Sequence, residues 1–237
     1  MTRPPNNVLI AFSVHIFTAS GAFWAFMALV AAAGNQFTVM WFWLGIALLV
    51  DGVDGPLARY FRVKELLPEW SGEILDCIID YVTFVLIPAF ALYQTGFMEE
   101  GWSFLCAALI VCTSAIYYAD TRMKSRDNFF IGFPVCWNML VFTLFVIEPG
   151  WYVAVSVVVV SALLTFTPML FVHPVRVKTL RLLTLGVFAI WALCGCLALY
   201  FGHNNIDVPV LAQIGIALSG LYLYFIGFGL QLTGRAV

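Results

Sequence analysis

Long apolar runs separated by short polar connections set the pattern of this chain. Eight such runs fall roughly over residues 8–33, 37–57, 71–95, 102–119, 129–147, 151–172, 182–201 and 208–230. A helix needs about 20 apolar residues to cross a hydrocarbon core, and these runs have or approach that length. They show none of the alternation over roughly ten residues that marks the strands of a membrane barrel. Only helices and closed barrels satisfy every backbone group in lipid. The pattern therefore predicts an all-α fold, a polytopic membrane bundle of about eight transmembrane helices. No internal repeat, low-complexity tract or soluble appendage interrupts it, so residues 1–237 are expected to be a single integral-membrane domain. The first run has no short hydrophobic core followed by a small-residue cleavage site, and is expected to be a retained helix rather than a signal peptide.

Composition strengthens the membrane reading. Hydrophobic residues make up 63% of the chain, charged residues 10%, and the mean hydropathy is +0.98. Soluble domains carry about a quarter charged residues, so an ordinary globular protein is excluded. The expected surroundings are membrane lipids, and no nucleic-acid partner is expected. Six cysteines (Cys77, Cys106, Cys112, Cys136, Cys194 and Cys196) lie within apolar runs without paired C-x-x-C spacing, and read as small packing residues.

The placement of charge then gives an orientation. All eleven Lys and Arg residues (Arg3, Arg59, Arg62, Lys64, Arg122, Lys124, Arg126, Arg176, Lys178, Arg181 and Arg235) fall at the termini or near the 2–3, 4–5 and 6–7 connections. The alternate connections carry Glu99, Glu100, Glu148, His203 and Asp207 instead. Eight spans with both termini and every basic connection in the cytoplasm satisfy the positive-inside rule throughout.

Acidity is concentrated in one place. Seven of the thirteen Asp and Glu residues lie between positions 51 and 80. Asp51 and Asp54 are three apart near the end of the second segment; Asp76 and Asp80 are four apart in the first turns of the third. Both spacings put a pair on one helix face, and a short connection between antiparallel neighbours brings the pairs together near the cytoplasmic interface. Ionisable groups within or beside spans are costly and mark function. Four carboxylates in one spot repel one another, and the natural neutraliser is one or two hard divalent cations that prefer oxygen ligands. Two such ions match four aspartates in charge and leave positions for phosphate oxygens. Gly52, Gly55 and Gly72 surround the acids, and Gly55 allows close approach of backbone or ligand. Ala58 is small for the same reason. Arg59 offers a guanidinium fork to phosphate.

With Asp51-Gly-Val-Asp54-Gly55-Pro-Leu-Ala58-Arg59, twelve further residues, then Gly72-Glu-Ile-Leu-Asp76-Cys-Ile-Ile-Asp80, the segment resembles the signature of the CDP-alcohol phosphotransferase family. Every named position of that signature is matched; the spacer is longer than usual and contains Pro68 and Trp70. The stretches HIFTASG, FPVCWN and FVHPVRV resemble the branch whose acceptor alcohol is choline. The resemblance implies transfer of a phosphatidyl group from CDP-diacylglycerol to choline with release of CMP, at the cytoplasmic face of a bacterial inner membrane. It implies Asp51, Asp54, Asp76 and Asp80 as ligands of Mn²⁺ or Mg²⁺, two ions in all, with Asp80 also the general base. Gly55, Ala58, Arg59, Gly72 and Ser71 are the implied CDP-lipid contacts, joined by Thr18 and His15, whose matching region lines the nucleotide-lipid site. Relatives are commonly dimers, so a homodimer is implied too.

Other polar and aromatic residues carry weaker signals. Choline is a quaternary ammonium that aromatic faces bind well; Tyr81, Tyr117, Tyr118 and Trp137 are candidates, with Asn138 beside them. Arg122, Lys124, Arg126, His173, Arg176, Lys178 and Arg181 read either as phosphate contacts or as topology anchors. Two other functions are compatible with an acidic membrane site. One is a same-family transferase for serine, glycerol phosphate or inositol phosphate. The other is a divalent-cation transporter, but transport sites lie near the midplane with access from both sides, and the outer halves of segments 2 and 3 have no ionisable residue.

Overall fold

The computed structural model describes residues 5–123, 125 and 127–235; Arg3, Lys124 and Arg126 lie outside the described residues. Among the described residues, six helices are long and apolar enough to cross a membrane: Val8–Ala33, Phe37–Tyr60, Gly72–Gln94, Glu100–Tyr118, Arg181–His203 and Val210–Leu232. The protein is a polytopic helical membrane bundle, as its hydropathy pattern predicts. Its internal contacts divide it into two units that meet in sequence at Ile87 and Pro88.

The first unit opens with α1 (Pro5–Ala33) and α2 (Phe37–Tyr60). Gly34, Asn35 and Gln36 reverse the chain, the amides of Gly34 and Gln36 bonding back to Val30 and Ala31 at 3.1 and 2.9 Å. Asn35 is left-handed at φ 56, a conformation asparagine tolerates better than most residues. α1 and α2 pack along one another, with Trp24 stacked on Trp43 at 5.4 Å. Pro56 sits inside α2 and removes the helical hydrogen bond that would go to the Gly52 carbonyl. Beyond α2 the chain turns at Arg62, left-handed at φ 54, into a single-turn helix α3 (Val63–Leu66). Ser71 then caps α4 (Gly72–Asp80), its hydroxyl accepting from the Ile74 amide at 3.2 Å. A π-helical stretch, Tyr81–Leu86, follows without a break and leads into α5 (Ile87–Gln94).

The second unit continues with α6 (Glu100–Tyr118), β1 (Phe130–Ile131), α7 (Trp137–Ile147), α8 (Trp151–Leu164), β2 (Leu170–Phe171), α9 (Arg181–His203) and α10 (Val210–Leu232). The apolar runs 129–147 and 151–172 are thus helical only over 137–147 and 151–164. Proline explains the shortening at both places: the residue before a proline is pushed away from helical angles, and Pro134 and Pro168 lie in the non-helical flanks. The backbone of those flanks pairs with itself, Phe130 opposite Phe171 and Ile131 opposite Leu170 in an antiparallel ribbon. Gln231 of α10 holds one edge, its Oε1 accepting from the Leu170 amide and its Nε2 donating to the Pro168 carbonyl, both at 3.0 Å. Gly132 and Gly227 allow the close approaches, since a Cβ at either would collide with the backbone of Thr165 or Leu170.

Candidate active site

The acidic residues come together within the first unit. Carboxylate oxygens of Asp51, Asp76 and Asp80 lie within 4.8 Å of one another, and all three side chains are half-buried. α2 supplies the first and α4 the other two, as their helical spacing predicts. Asp54 is buried at 7% exposure but its oxygens are not in that group.

A close helix crossing holds this geometry. A Cβ on Gly21 of α1 would stand 2.9 Å from Ile79 Cγ2 and 4.0 Å from Val50 Cγ1. Ile79 and Val50 immediately precede Asp80 and Asp51. Gly21 therefore lets α1 press against the chain neighbours of both acids, a positioning role that its place at the end of the HIFTASG stretch did not reveal. The π-helical turns begin directly after Asp80. Wider turns of this kind insert one residue and occur often at functional sites. Here Thr83, 3% exposed, donates its hydroxyl to the Ile79 carbonyl at 2.9 Å, which keeps that buried carbonyl hydrogen-bonded where the ladder changes register.

The donor set fits a hard divalent cation. Adjacent oxygens on one octahedral Mg²⁺ at about 2.1 Å stand roughly 3 Å apart, so modest side-chain movements would bring the three carboxylates onto one ion. Around them, Gly55 is half-buried, and a Cβ there would meet Arg59 Nη1 at 3.3 Å; the guanidinium lies over the glycine. Ala58 is half-buried and Arg59 exposed. Gly72 opens α4 against His15, whose Cε1 would stand 3.4 Å from a Cβ at that position. His15 and Thr18 are both buried at 7% exposure.

The aromatic candidates divide between the units. Tyr81 is half-buried and follows Asp80 directly. Trp137, fully buried in the second unit, donates its indole N–H to Ser114 Oγ at 2.8 Å and packs edge-on against Phe133 at 4.9 Å. Asn138 Oδ1 accepts from the Met139 amide at 2.9 Å. Tyr117 is buried and Tyr118 half-buried. In the polar connection that follows, Arg122 clasps Asp120 through its side chain and its amide, at 2.8–2.9 Å. Those hydrogen bonds pull the Asp120 carboxyl down to about 2. This arginine is therefore already engaged, as an anchor of its own turn.

An apolar helical bundle that gathers aspartates from two successive helices, with glycine and arginine between the pairs, is consistent with the CDP-alcohol phosphotransferase class of membrane transferases. No family model matches the chain. Relatives matched over most of both chains agree with that class: it is 59% identical to a phosphatidylcholine synthase of Brucella melitensis, over 94% of this chain and 79% of that one. It is 59% identical to the phosphatidylcholine synthase of Mesorhizobium japonicum, over 92% and 85%. With that of Rhizobium meliloti the identity is 56%, over 99% and 97%. The chain belongs to the phosphatidylcholine synthase family.

Proposed function

We propose that the protein transfers a phosphatidyl group from CDP-diacylglycerol to the hydroxyl of choline, releasing CMP. The observation that carries the reading is the convergence of Asp51, Asp76 and Asp80 within 4.8 Å, in a chain whose relatives are phosphatidylcholine synthases. All of residues 1–237 act as one catalytic domain in this reading, in keeping with alignments that cover 92–99% of the chain.

Asp51, Asp76 and Asp80 would hold one divalent ion, and Asp54 would help to hold a second. Bound Mg²⁺ or Mn²⁺ would neutralise diphosphate charge and favour departure of CMP. Arg59, exposed and lying over Gly55, binds a phosphate oxygen through its guanidinium fork. Gly55, Ala58 and Gly72 keep the walls low enough for the nucleotide to reach the acids, and Ser71 fixes the start of the helix that bears two of them. Asp80 accepts the proton of the choline hydroxyl as that oxygen bonds to the phosphatidyl phosphorus. The bond from that phosphorus to the CMP phosphate breaks, and its electron pair leaves with CMP. A carboxylate is a weak base, so most of the acceleration comes from alignment and preorganised charge. The active site faces the cytoplasm of an inner membrane, the side to which the positive-inside pattern assigns the α2–α4 connection.

The test is turnover by purified protein in lipid nanodiscs supplied with CDP-diacylglycerol and each acceptor in turn. CMP release is expected with choline, lost on chelation and restored by Mn²⁺ or Mg²⁺. Turnover with serine and none with choline would overturn the acceptor, and turnover that survives chelation would overturn the metal.

A further inference from the structure

The spacer between the acidic pairs is a docked element. Val63 and Leu67 are buried with Ala11 and Val14 of α1 in one apolar cluster, and Leu57, Ala58, Phe61 and Leu66 pack around it. Arg62 pairs with Glu65 inside the spacer, and Lys64 reaches Glu73 of α4 at 3.3 Å. This docking delivers Trp70 to α1. Its ring meets Phe12 edge-on at 5.3 Å and lies 6.5 Å from His15 at a tilt of 38°.

His15 is the unexplained member of this group. It is 7% exposed, and its Nε2 has no hydrogen-bond partner among the described residues. Burying a polar atom without a partner costs free energy, so such an atom is a candidate to meet a ligand. The ring edge that faces Gly72 is Cε1 and Nδ1, 3.4 and 3.9 Å from where a Cβ would stand, with Nε2 bonded to Cε1 and farther off. The imidazole thus lies against the start of α4, where the Gly72 and Glu73 amides have no partner within the helix. Trp70, beside it, is 57% exposed and has indole surface to offer.

The chemistry of these groups selects among the parts of the substrates. A quaternary ammonium would suit the Trp70 face but forms no hydrogen bond, and would leave Nε2 unpartnered. An acyl chain fails for the same reason. A phosphate would use the amides but not the indole. A heteroaromatic base uses all of them: its face stacks on tryptophan while its edge pairs with Nε2 and the helix amides. Asp76 and Asp80 lie about 6 and 12 Å further along α4, in the direction that a ribose and diphosphate would extend from such a base.

We propose that His15 and Trp70 form the nucleobase seat of the CDP-lipid, Trp70 stacking on the cytosine and His15 Nε2 bonding to its edge. The proposal rests on the CDP-lipid reading above. It makes the long spacer a substrate-binding element and gives His15 the task of telling cytosine from uracil, which differs along that edge.

The experiment titrates CMP and UMP into the purified full-length protein in nanodiscs by calorimetry, without acceptor, and measures KM for CDP-diacylglycerol and for choline. The wild type is expected to prefer CMP. His15→Ala should bring the two affinities within about twofold and raise the CDP-diacylglycerol KM while leaving the choline KM unchanged; His15→Gln, which retains an edge donor and acceptor, should restore part of the preference. Trp70→Ala should weaken CMP and UMP alike by about tenfold, the scale of one stacked base, and Trp70→Phe should recover most of that. Because the CMP-to-UMP ratio is independent of the folded fraction, a misfolded variant does not imitate the result. An unchanged ratio in His15→Ala, or a raised choline KM with the CDP-diacylglycerol KM intact, would overturn the proposal. A wild type that binds CMP with preference but does not turn over choline leaves the nucleobase seat standing and removes the acceptor; one that binds no CMP removes both.

Discussion

Aspartates 51, 76 and 80 each contribute an oxygen to one small volume, so neutral replacements should act on chemistry rather than folding. Asp51→Ala and Asp76→Ala are expected to lower CMP release by about a hundredfold or more, the scale on which a preorganised electrostatic group acts, while the protein still enters the membrane and elutes as the wild type does. Activity within tenfold of wild type in either variant would contradict the shared-ion reading. The residues of this centre were legible because charge is rare in such a chain, and four acids at three- and four-residue spacing stand out against an apolar background. Gly21 was visible only as the end of the HIFTASG stretch, and its role exists only once Ile79 of another helix is laid against it. His15 was visible as a polar residue in a span, but its unpartnered Nε2 depends on how Trp70 and Gly72 surround it.

Between elements, the decisive contact is the crossing of α1 with α4. Gly21→Val should force α1 away from Ile79, an overpacking that typically costs about 1–3 kcal/mol, and should lower activity by displacing Asp80 relative to Asp51. Adding Ile79→Ala should recover both stability and activity, as measured by thermal denaturation and CMP release. If the double variant is no better than the single one, the crossing is not what sets the site. Helix positions were well read from hydropathy wherever the apolar run is one uninterrupted helix, as in α1, α2, α9 and α10. The reading was less complete where strand and helix share one apolar run. Phe130–Ile131 and Leu170–Phe171 are as apolar as their helical neighbours, and only the prolines and the pairing across forty residues separate them.

For the whole molecule, α7 and α8 decide the number of spans. With 11 and 14 residues they rise only about 16 and 21 Å, short of a core of about 30 Å. Extended backbone advances about 3.3 Å per residue against 1.5 Å in a helix, so their strand-like flanks add reach economically, and the ribbon satisfies backbone groups that lipid would not. The charge pattern expects Arg122 and Lys178 on one side and Glu148 on the other. In a chain freed of its six native cysteines, Arg122→Cys and Lys178→Cys should label from the cytoplasmic face, and Glu148→Cys from the opposite face. Labelling of all three from one face would mean that α7 and α8 re-enter rather than cross, leaving six spans.

The docked spacer has a thermodynamic consequence for the molecule as a whole. Fixing a backbone residue costs about 1–2 kcal/mol of conformational entropy, and for residues 61–71 that cost is met when the protein folds, through Val63 and Leu67. Substrate arrival then has little left to order. The amides of α3 and its flanks should accordingly exchange slowly with deuterium before any nucleotide is added, and saturating CMP should change their rates by less than about threefold. Strong protection appearing only with CMP would show a segment that closes on its ligand instead of waiting, already assembled, at the mouth of the site.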